Sequence, residues 1–371
     1  MAVSAKDQPL DETAQSASDR IVGYDLARAL AILGMVLVHF MIALAWQDDW
    51  QRSTFFHLLD GRAAALFVIL AGVGLSLRAR GAGNDRESLV DQQRTILRRG
   101  LFLLVAGYVN LIIWPGDILR VYGVSLLLAP WLLRTSTRRL WLAILAFIAG
   151  FMAICGTIDY SRHWDWESFT YHDLDTFEGA MMNLFYNGFR SVFPWTGVLL
   201  FGLWLGRLDV ARPAVRHKLL VWGLALAIST ELLSWLTVRL ALADNTTADP
   251  KDIVAVFGTG SMPPLPLFLL AAGSASVATI GASLALAARF PNALAIKSLA
   301  DTGRMAFTWY VAHIMLGLGT VEWLDLQSSQ SLGIAVAAGF GFFLVAVVIS
   351  WFWFRIAKYG PLEWLMRRVA G

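Results

Sequence analysis

The sequence predicts an all-α integral membrane protein, a bundle of about ten transmembrane helices with both termini in the cytoplasm. The first observation is composition: 57% of the 371 residues are hydrophobic, only 15% are charged, and the mean hydropathy is +0.59. A soluble domain of this size is far more polar. The second observation is a series of apolar segments long enough to cross a bilayer. The third is the uneven distribution of Lys and Arg between the loops.

The apolar segments are separated by short polar stretches. They cover residues 27–46, 62–77, 98–114, 118–133, 140–157, 192–206, 219–242, 264–288, 304–322 and 332–354. The division between the third and fourth segments depends on Pro115 and Gly116, which favour a tight turn. Residues 1–19 are polar and lack the basic and apolar regions of a signal peptide. We therefore predict a disordered cytoplasmic tail, followed by a single transmembrane domain over residues 20–371.

Basic residues concentrate in alternate loops. With the N-terminus in the cytoplasm, most of the 30 Lys and Arg residues fall on the cytoplasmic side, as the positive-inside rule requires. The expected location is therefore the plasma membrane, that of a bacterium. The net charge of +3 reports this topology and gives no reason to expect a nucleic-acid partner.

One polar stripe runs along the first predicted span. Asp25 and Arg28 both lie within about 40° of His39 around a helix that turns about 100° per residue. The rise from Arg28 to His39 is about 16 Å, roughly half the hydrocarbon thickness. The stripe therefore places a carboxylate and a guanidinium at the membrane edge and an imidazole at depth. Ionisable groups inside a spanning helix are costly and usually mark a functional site.

A second histidine, His57, lies just before the second span. We expect His57 and His39 to approach each other across the first helical hairpin, with Asp60 orienting either imidazole. An ordinary histidine at the membrane interface is an equally weighted alternative for His57.

Arg94, Arg98 and Arg99 form a basic cluster on the predicted cytoplasmic side. Arg94 and Arg98 are four residues apart and share a helix face, an arrangement that can clamp phosphate groups. Their spacing alone favours the alternative, an ordinary basic anchor of a membrane span.

Further polar residues lie where membrane spans have few. Asp117, Arg120 and Tyr122 fall within two turns at the outer end of the fourth span and predict a pocket wall, or else a structural ion pair. Glu231 and His313 lie in the middle of later spans, where each needs a partner. The sequence shows no cluster of metal ligands, so no metal is expected.

The longest outside loop, residues 158–191, is rich in acidic and aromatic residues. An aromatic belt at the membrane interface is the favoured interpretation. A cap over an outward-facing pocket is the alternative, since long ordered loops often carry function.

Five short segments, taken in order, resemble a known family. They run from Arg20 to Gly34, from Gly116 to Tyr122, from Phe193 to Arg207, from Thr302 to Ala306 and from Tyr359 to Arg367. The resemblance is to the YeiB-like membrane proteins and to the larger transmembrane acyltransferase group. That group includes heparan-alpha-glucosaminide N-acetyltransferase and the family-three O-acyltransferases. The likeness covers nearly the whole chain.

The sequence departs from the YeiB-like pattern at His39, where those proteins usually have Asn. Arg28, followed after ten residues by His39, is similar instead to the family-three arrangement, in which the histidine is held to be catalytic. Heparan-type enzymes carry a catalytic histidine in the loop after the first span. His57 is the nearest match to that histidine, at a longer spacing.

The resemblance implies acyl transfer across the membrane. The co-substrate would be cytoplasmic acyl-CoA, with acetyl-CoA expected, and the acceptor an extracytoplasmic hydroxyl or amine such as a sugar. The donor phosphates would be held by arginines, namely Arg28, Arg94, Arg98 and Arg99. His39 or His57 would act as general base, with Asp60 beside it. The remaining candidate pocket residues are Asp25, Asp117, Arg120, Tyr122, Glu231 and His313.

A proton-coupled membrane transporter is the alternative function. Buried Glu231, His39 and His313 would also suit a proton pathway through a bundle of spans. The acceptor, the acyl length and the oligomeric state, with a homo-oligomer among the options, are left open by the sequence.

Overall fold

The computed structural model describes residues 20–81, 86–244 and 249–371, so the predicted tail over residues 1–19 lies outside the described residues. The described chain is mostly helical, with almost no strand, as predicted. Its helices are α1 Val22–Leu44, α2 Gln47–Gln51, α3 Thr54–Leu59, α4 Arg62–Gly81, α5 Arg86–Leu111, α6 Leu119–Leu128, α7 Thr137–Cys155, α8 Phe177–Met182, α9 Val192–Leu205, α10 Pro213–Ala243, α11 Pro250–Phe257, α12 Pro266–Arg289, α13 Leu294–Arg304, α14 Ala306–Ala312, α15 Gly319–Trp323, α16 Leu332–Trp353 and α17 Pro361–Ala370.

Irregular turns and one hairpin complete the described chain. A 3-10 turn over Ala129–Leu132 extends α6, and π-helical turns over Asn183–Asn187 and His313–Leu318 extend α8 and α14. Strands β1 Trp164–Asp165 and β2 Thr170–Tyr171 form an antiparallel hairpin.

Six helical segments of the described chain have the length and hydropathy of a membrane span. They are α1, the segment Thr54–Gly81 that joins α3 and α4, α7, α10, α12 and α16. The other four predicted spans fall on helices that are short, polar or interrupted: the second half of α5, α6, α9, and α14 with its π turn. The prediction of about ten spans is thus supported for six. The cytoplasmic location of the termini stays a prediction.

Helix α1 lies at the centre of the bundle. Its apolar run of Ala, Leu, Ile, Val and Met suits a helix whose backbone hydrogen bonds are all made internally, and Asp25 lies in its first turn. A carboxylate there complements the helix dipole. The helix packs against α4, α12, α13 and α16. The single helix predicted from Asp25 to His39 is confirmed, and its polar stripe faces other helices.

Helices α4 and α9 approach closely through two glycines. A Cβ atom at Gly72 would overlap the carbonyl oxygen of Leu199, and one at Gly202 would overlap the carbonyl oxygen of Ile69. The backbones are therefore in direct contact, as in other small-residue interfaces between membrane helices. This contact fixes α4, which carries residues of both cavities described below.

We expect Gly72→Ala to lower the midpoint of thermal unfolding in detergent, because the added methyl group has no space. Overpacking of this kind typically costs about 1–3 kcal/mol. Gly74→Ala is the matched control on the same helix, since its Cβ would meet only Arg28 Nη2, at 3.7 Å. Equal midpoints for the two variants would show that α4 and α9 are not in backbone contact.

Candidate functional site

A cavity of about 480 Å³ lies at the C-terminal end of α1, beneath the β hairpin. Its walls come from α1, α3, the turn before α6, the hairpin and the loop before α12. We call it the histidine cavity, because His39 lines it. The volume is within the range of small-molecule sites, about 300–1,000 Å³.

A second histidine supports His39 at the cavity wall. His39 Nδ1 lies 2.8 Å from His313 Nε2, and the two rings stack with centroids 5.0 Å apart. His313 is fully buried, and its Nδ1 lies 3.1 Å from the carbonyl oxygen of Trp309. His313 also begins the π-helical turn, a feature frequent at functional sites. The partner that the sequence required for His313 is therefore His39.

These contacts fix the tautomers of the neutral pair. The Trp309 carbonyl can only accept a hydrogen bond, so His313 carries its proton on Nδ1 and accepts at Nε2. His39 then donates from Nδ1 and holds its lone pair on Nε2. The described chain supplies no hydrogen-bond partner for that nitrogen. Because His39 lines the cavity, its Nε2 is placed to take a proton from a bound molecule.

A buried polar network stands behind this wall. Tyr310 lines the cavity, and its hydroxyl accepts from the backbone N–H of Ile118 at 3.2 Å and donates to Asp117 Oδ1 at 3.3 Å. The same Asp117 oxygen accepts from Asn110 Nδ2 at 2.8 Å. Arg120 Nε lies 3.6 Å from Asp117 Oδ2. These contacts to Asp117 and to the Ile118 backbone hold the Tyr310 ring, which lies three residues before His313 on the same helical segment.

The predicted pocket residues mostly lie behind the cavity. Asp117, Arg120, Tyr122 and His313 are buried next to its lining and do not form it. Their neighbours along the chain form the surface instead, chiefly Trp114 on one side. The indole ring of Trp114 lies 4.9 Å from the His39 ring. The polar residues predicted to form a pocket wall therefore lie behind the wall, which Trp114 and its neighbours form.

Asp60 and His57 both lie at the rim of the histidine cavity. Their side chains hydrogen-bond to other residues and not to each other. Asp60 accepts from Ser261 Oγ at 2.5 Å and from Arg190 Nη2 at 3.3 Å. Both of its oxygens are used by these partners, so among the described residues it does not orient an imidazole, as the sequence suggested. His57 is exposed and its Nε2 lies 2.7 Å from the carbonyl oxygen of Gln51.

Gly61 shapes this rim. It adopts φ = +69° between α3 and α4, a conformation that glycine adopts without strain. A Cβ atom there would lie 2.5 Å from the Ser261 side chain and 2.6 Å from the Phe268 ring. The tight turn therefore places the Asp60 carboxylate within hydrogen-bonding distance of Ser261.

The long loop forms a cap. Trp166, Phe169 and Tyr171 from the hairpin line the histidine cavity, together with Trp50 and Phe189. Gln47 Nε2 donates to the carbonyl oxygen of Glu167 at 2.8 Å and ties the hairpin to α2. The favoured interpretation of this loop as an aromatic belt is therefore replaced by the alternative, a cap with an aromatic inner face.

A separate pocket of about 220 Å³ lies near the N-terminal end of α1. We call it the arginine pocket, because Arg20, Arg28 and Arg304 line it. Asp25 is buried behind it and accepts from Arg28 Nη1 at 2.6 Å and Arg20 Nε at 2.5 Å. Glu363 from α17 also lines it; burial raises the pKa of this carboxyl. Three guanidinium groups facing one pocket suit an anionic ligand.

The predicted donor cluster lies elsewhere. Arg94 is 68% exposed and pairs with Asp91, Arg98 is exposed, and Arg99 donates from Nε to the carbonyl oxygen of Gly371 at 3.1 Å. None of the three lines the arginine pocket.

Glu231, expected to need a partner inside its span, has two. Arg62 Nη2 donates to Glu231 Oε1, and Thr259 Oγ1 donates to Oε2 at 2.9 Å. Glu231 does not line the histidine cavity, so within the described chain it acts as a structural brace between α10 and α4.

Sequence reasoning missed Arg190, Ser261, Arg304 and Tyr310 as site residues. Arg304 lies in a segment that resembles the family, and Arg190 is one of the few basic residues outside the predicted cytoplasmic loops. Both arginines could therefore have been identified from the sequence. Ser261 carried none, because its partner Asp60 is 201 residues away.

Among the described residues, no group of three or more His, Cys, Asp or Glu side chains is placed to hold a metal ion.

Comparison with known proteins identifies two family models and two relatives. Residues 20–240 match heparan-alpha-glucosaminide N-acetyltransferase, catalytic, and residues 209–371 match a protein of unknown function, DUF418. An uncharacterized 39.9 kDa protein in the amylase 3' region of Bacillus acidopullulyticus is 24% identical over 94% of this chain and 93% of its own. Uncharacterized protein YxaH of Bacillus subtilis (strain 168) is 22% identical over 94% of both chains.

Proposed function

Because the chain belongs to the YeiB-like, acyltransferase-related family that shares the heparan-alpha-glucosaminide N-acetyltransferase catalytic region, we propose that it is a membrane-embedded acyltransferase. It moves an acyl group, acetyl in the simplest case, from cytoplasmic acyl-CoA to a hydroxyl or amine on the opposite side. The observation that carries the proposal is His39 Nε2, a basic nitrogen at the wall of the histidine cavity whose tautomer is set by His313.

In this proposal His39 is the general base. The acceptor O–H or N–H gives its proton to His39 Nε2 as its oxygen or nitrogen attacks the thioester carbonyl. The carbon–sulfur bond then breaks, and the leaving thiolate takes the proton from His39 to give free CoA. His313 keeps the His39 ring oriented throughout, because its hydrogen bond uses the opposite nitrogen.

The cap supports a carbohydrate acceptor. Trp50, Trp166 and Tyr171 present aromatic surface to the cavity, and the flat apolar faces of sugar rings pack against such surfaces. Asp60, Arg190 and Ser261 supply hydrogen-bonding groups at the rim. A few placed polar groups among aromatic walls are typical of small-molecule sites.

The arginine pocket supports an acyl-CoA donor. Its guanidinium groups suit the phosphates of CoA, and the buried Nε of Arg304 has no hydrogen-bond partner in the described chain. With the arginine pocket at the cytoplasmic face, the two pockets open toward opposite sides of the bilayer. That orientation matches the expected topology and the expected location in a bacterial plasma membrane.

The test is binding and transfer with purified protein. We expect acetyl-CoA to bind in isothermal titration calorimetry on detergent-solubilised protein, and acetylated products to appear when amino sugars and neutral sugars are added to proteoliposomes. If no acyl-CoA binds and the proteoliposomes instead show uptake driven by a proton gradient, the transporter alternative replaces the acyltransferase.

One substitution locates the donor site. We expect Arg304→Gln to weaken CoA binding at least about tenfold, since a hydrogen bond to a charged group contributes about 1.5–3 kcal/mol. Arg94→Gln, an exposed arginine on α5, is the control and should bind CoA normally. The opposite pattern, with only Arg94→Gln impaired, would assign the donor to the surface cluster that the sequence suggested.

A further inference from the structure

Three aromatic rings separate the arginine pocket from the histidine cavity. Phe67 lines the arginine pocket and Tyr310 lines the histidine cavity. Their rings are stacked, with centroids 6.4 Å apart, and Tyr122 packs edge-on against Phe67 at 5.6 Å. We call Phe67, Tyr122 and Tyr310 the aromatic septum. An acyl group that enters from the arginine pocket must reach or pass this septum to meet His39.

The three rings of the septum differ in burial and in the hydrogen bonds that fix them. Tyr310 is 1% exposed and bonded to both Asp117 and the Ile118 backbone. Tyr122 is 5% exposed. Phe67 is only partly buried and faces the arginine pocket, and its ring makes no hydrogen bond. Phe67 is therefore the member of the septum that can change rotamer most easily.

The hydroxyl of Tyr122 is buried and has no hydrogen-bond partner in the part of the chain that the structure describes. A buried polar group without a partner costs about 1–3 kcal/mol, so such groups usually bind something in the functional state. Tyr122 packs against the Phe67 ring that lines the arginine pocket, and the thioester carbonyl of a bound acyl donor is the kind of acceptor that its O–H lacks.

We propose that Phe67 determines the length of the acyl group that the protein accepts, and that Tyr122 binds the donor carbonyl beside it. This inference rests on the proposed acyltransferase function. The Phe67 ring leaves room at the septum for a short acyl group and obstructs a long one. Removing the ring opens the septum, while the CoA moiety stays bound to the arginines.

The test compares donor length with septum size. We expect wild-type protein to bind acetyl-CoA at least about tenfold more tightly than hexanoyl-CoA, the scale on which shaped apolar pockets discriminate. Phe67→Ala and the milder Phe67→Leu should reduce that ratio, and Phe67→Trp should increase it. Affinity for free CoA is measured for each of the four proteins, and each acyl-CoA affinity is divided by it, so that changes in the CoA contacts of the pocket cancel. Phe201→Ala removes a partly buried phenylalanine that lines neither pocket and should keep the wild-type ratio.

A second variant tests the role of the Tyr122 hydroxyl. Tyr122→Phe should weaken binding of acetyl-CoA several-fold relative to free CoA, because only the acylated donor brings a thioester carbonyl. If wild-type protein binds acetyl-CoA but Phe67→Ala and Phe67→Leu keep its length preference, the septum does not select the acyl group. In that case this inference fails and the proposed acyltransferase function stands. If wild-type protein binds neither CoA nor acetyl-CoA, the proposed function fails with it.

Discussion

His39→Ala is expected to lower the rate of acyl transfer by at least about a hundredfold, because general-base assistance typically contributes 10²–10⁴-fold. The imidazole lines the histidine cavity, and its Nε2 is the nitrogen that the His313 contact leaves free. The arginine pocket lies at the other end of α1, so acetyl-CoA binding should stay close to normal. Transfer measured by mass spectrometry and binding measured by calorimetry separate the two effects.

His39→Asn is the sharper variant. It introduces the residue usual in YeiB-like relatives, keeps a hydrogen-bond donor for His313, and removes the basic nitrogen. His57→Gln is the control at the cavity rim, where the imidazole is exposed and hydrogen-bonded to the Gln51 carbonyl. We expect low transfer in the first variant and near-normal transfer in the second. Full activity of His39→Asn together with loss in His57→Gln would make His57 the base.

The polar stripe of α1 was predictable because a helix is a local structure. Its period alone placed Asp25, Arg28 and His39 on one face, and the structure keeps them there. The same local reasoning identified His313 and Glu231 as residues that need partners. It could not name those partners, since His39 and His313 are 274 residues apart and no helical period relates them.

The arginines show the limit of spacing as a guide. Arg94 and Arg98 share a helix face, yet that face is exposed on α5. The pocket gathers Arg20 from just before α1, Arg28 from α1 and Arg304 from the end of α13. These residues meet because α1 and α13 pack together. Gly303 permits that contact, since a Cβ atom there would overlap the carbonyl oxygen of Asp25. Which basic residues converge is thus a property of helix packing, which one-dimensional spacing does not contain.

His313 is a positioning residue in the proposed mechanism, since it touches His39 and does not line the cavity. In the neutral pair it accepts the Nδ1–H of His39, and its own Nδ1–H is held by the Trp309 carbonyl. Without that acceptor the His39 ring is free to rotate and to adopt the other tautomer, which puts the proton on the reactive nitrogen. Partners that orient metal-bound histidines contribute about 10–100-fold to activity, and we expect a loss of the same order here.

We therefore expect His313→Leu to lower kcat by about 10–100-fold with KM for the acceptor nearly unchanged. His313→Gln should recover most of the activity, because its side-chain carbonyl can accept from His39 Nδ1. Comparing the two variants separates hydrogen bonding from packing, because only the Gln side chain can accept a hydrogen bond. A purely structural role would make both variants lose stability and would not spare KM. Equal kcat in His313→Leu and wild-type protein would show that His39 needs no orienting partner, and would remove His313 from the mechanism.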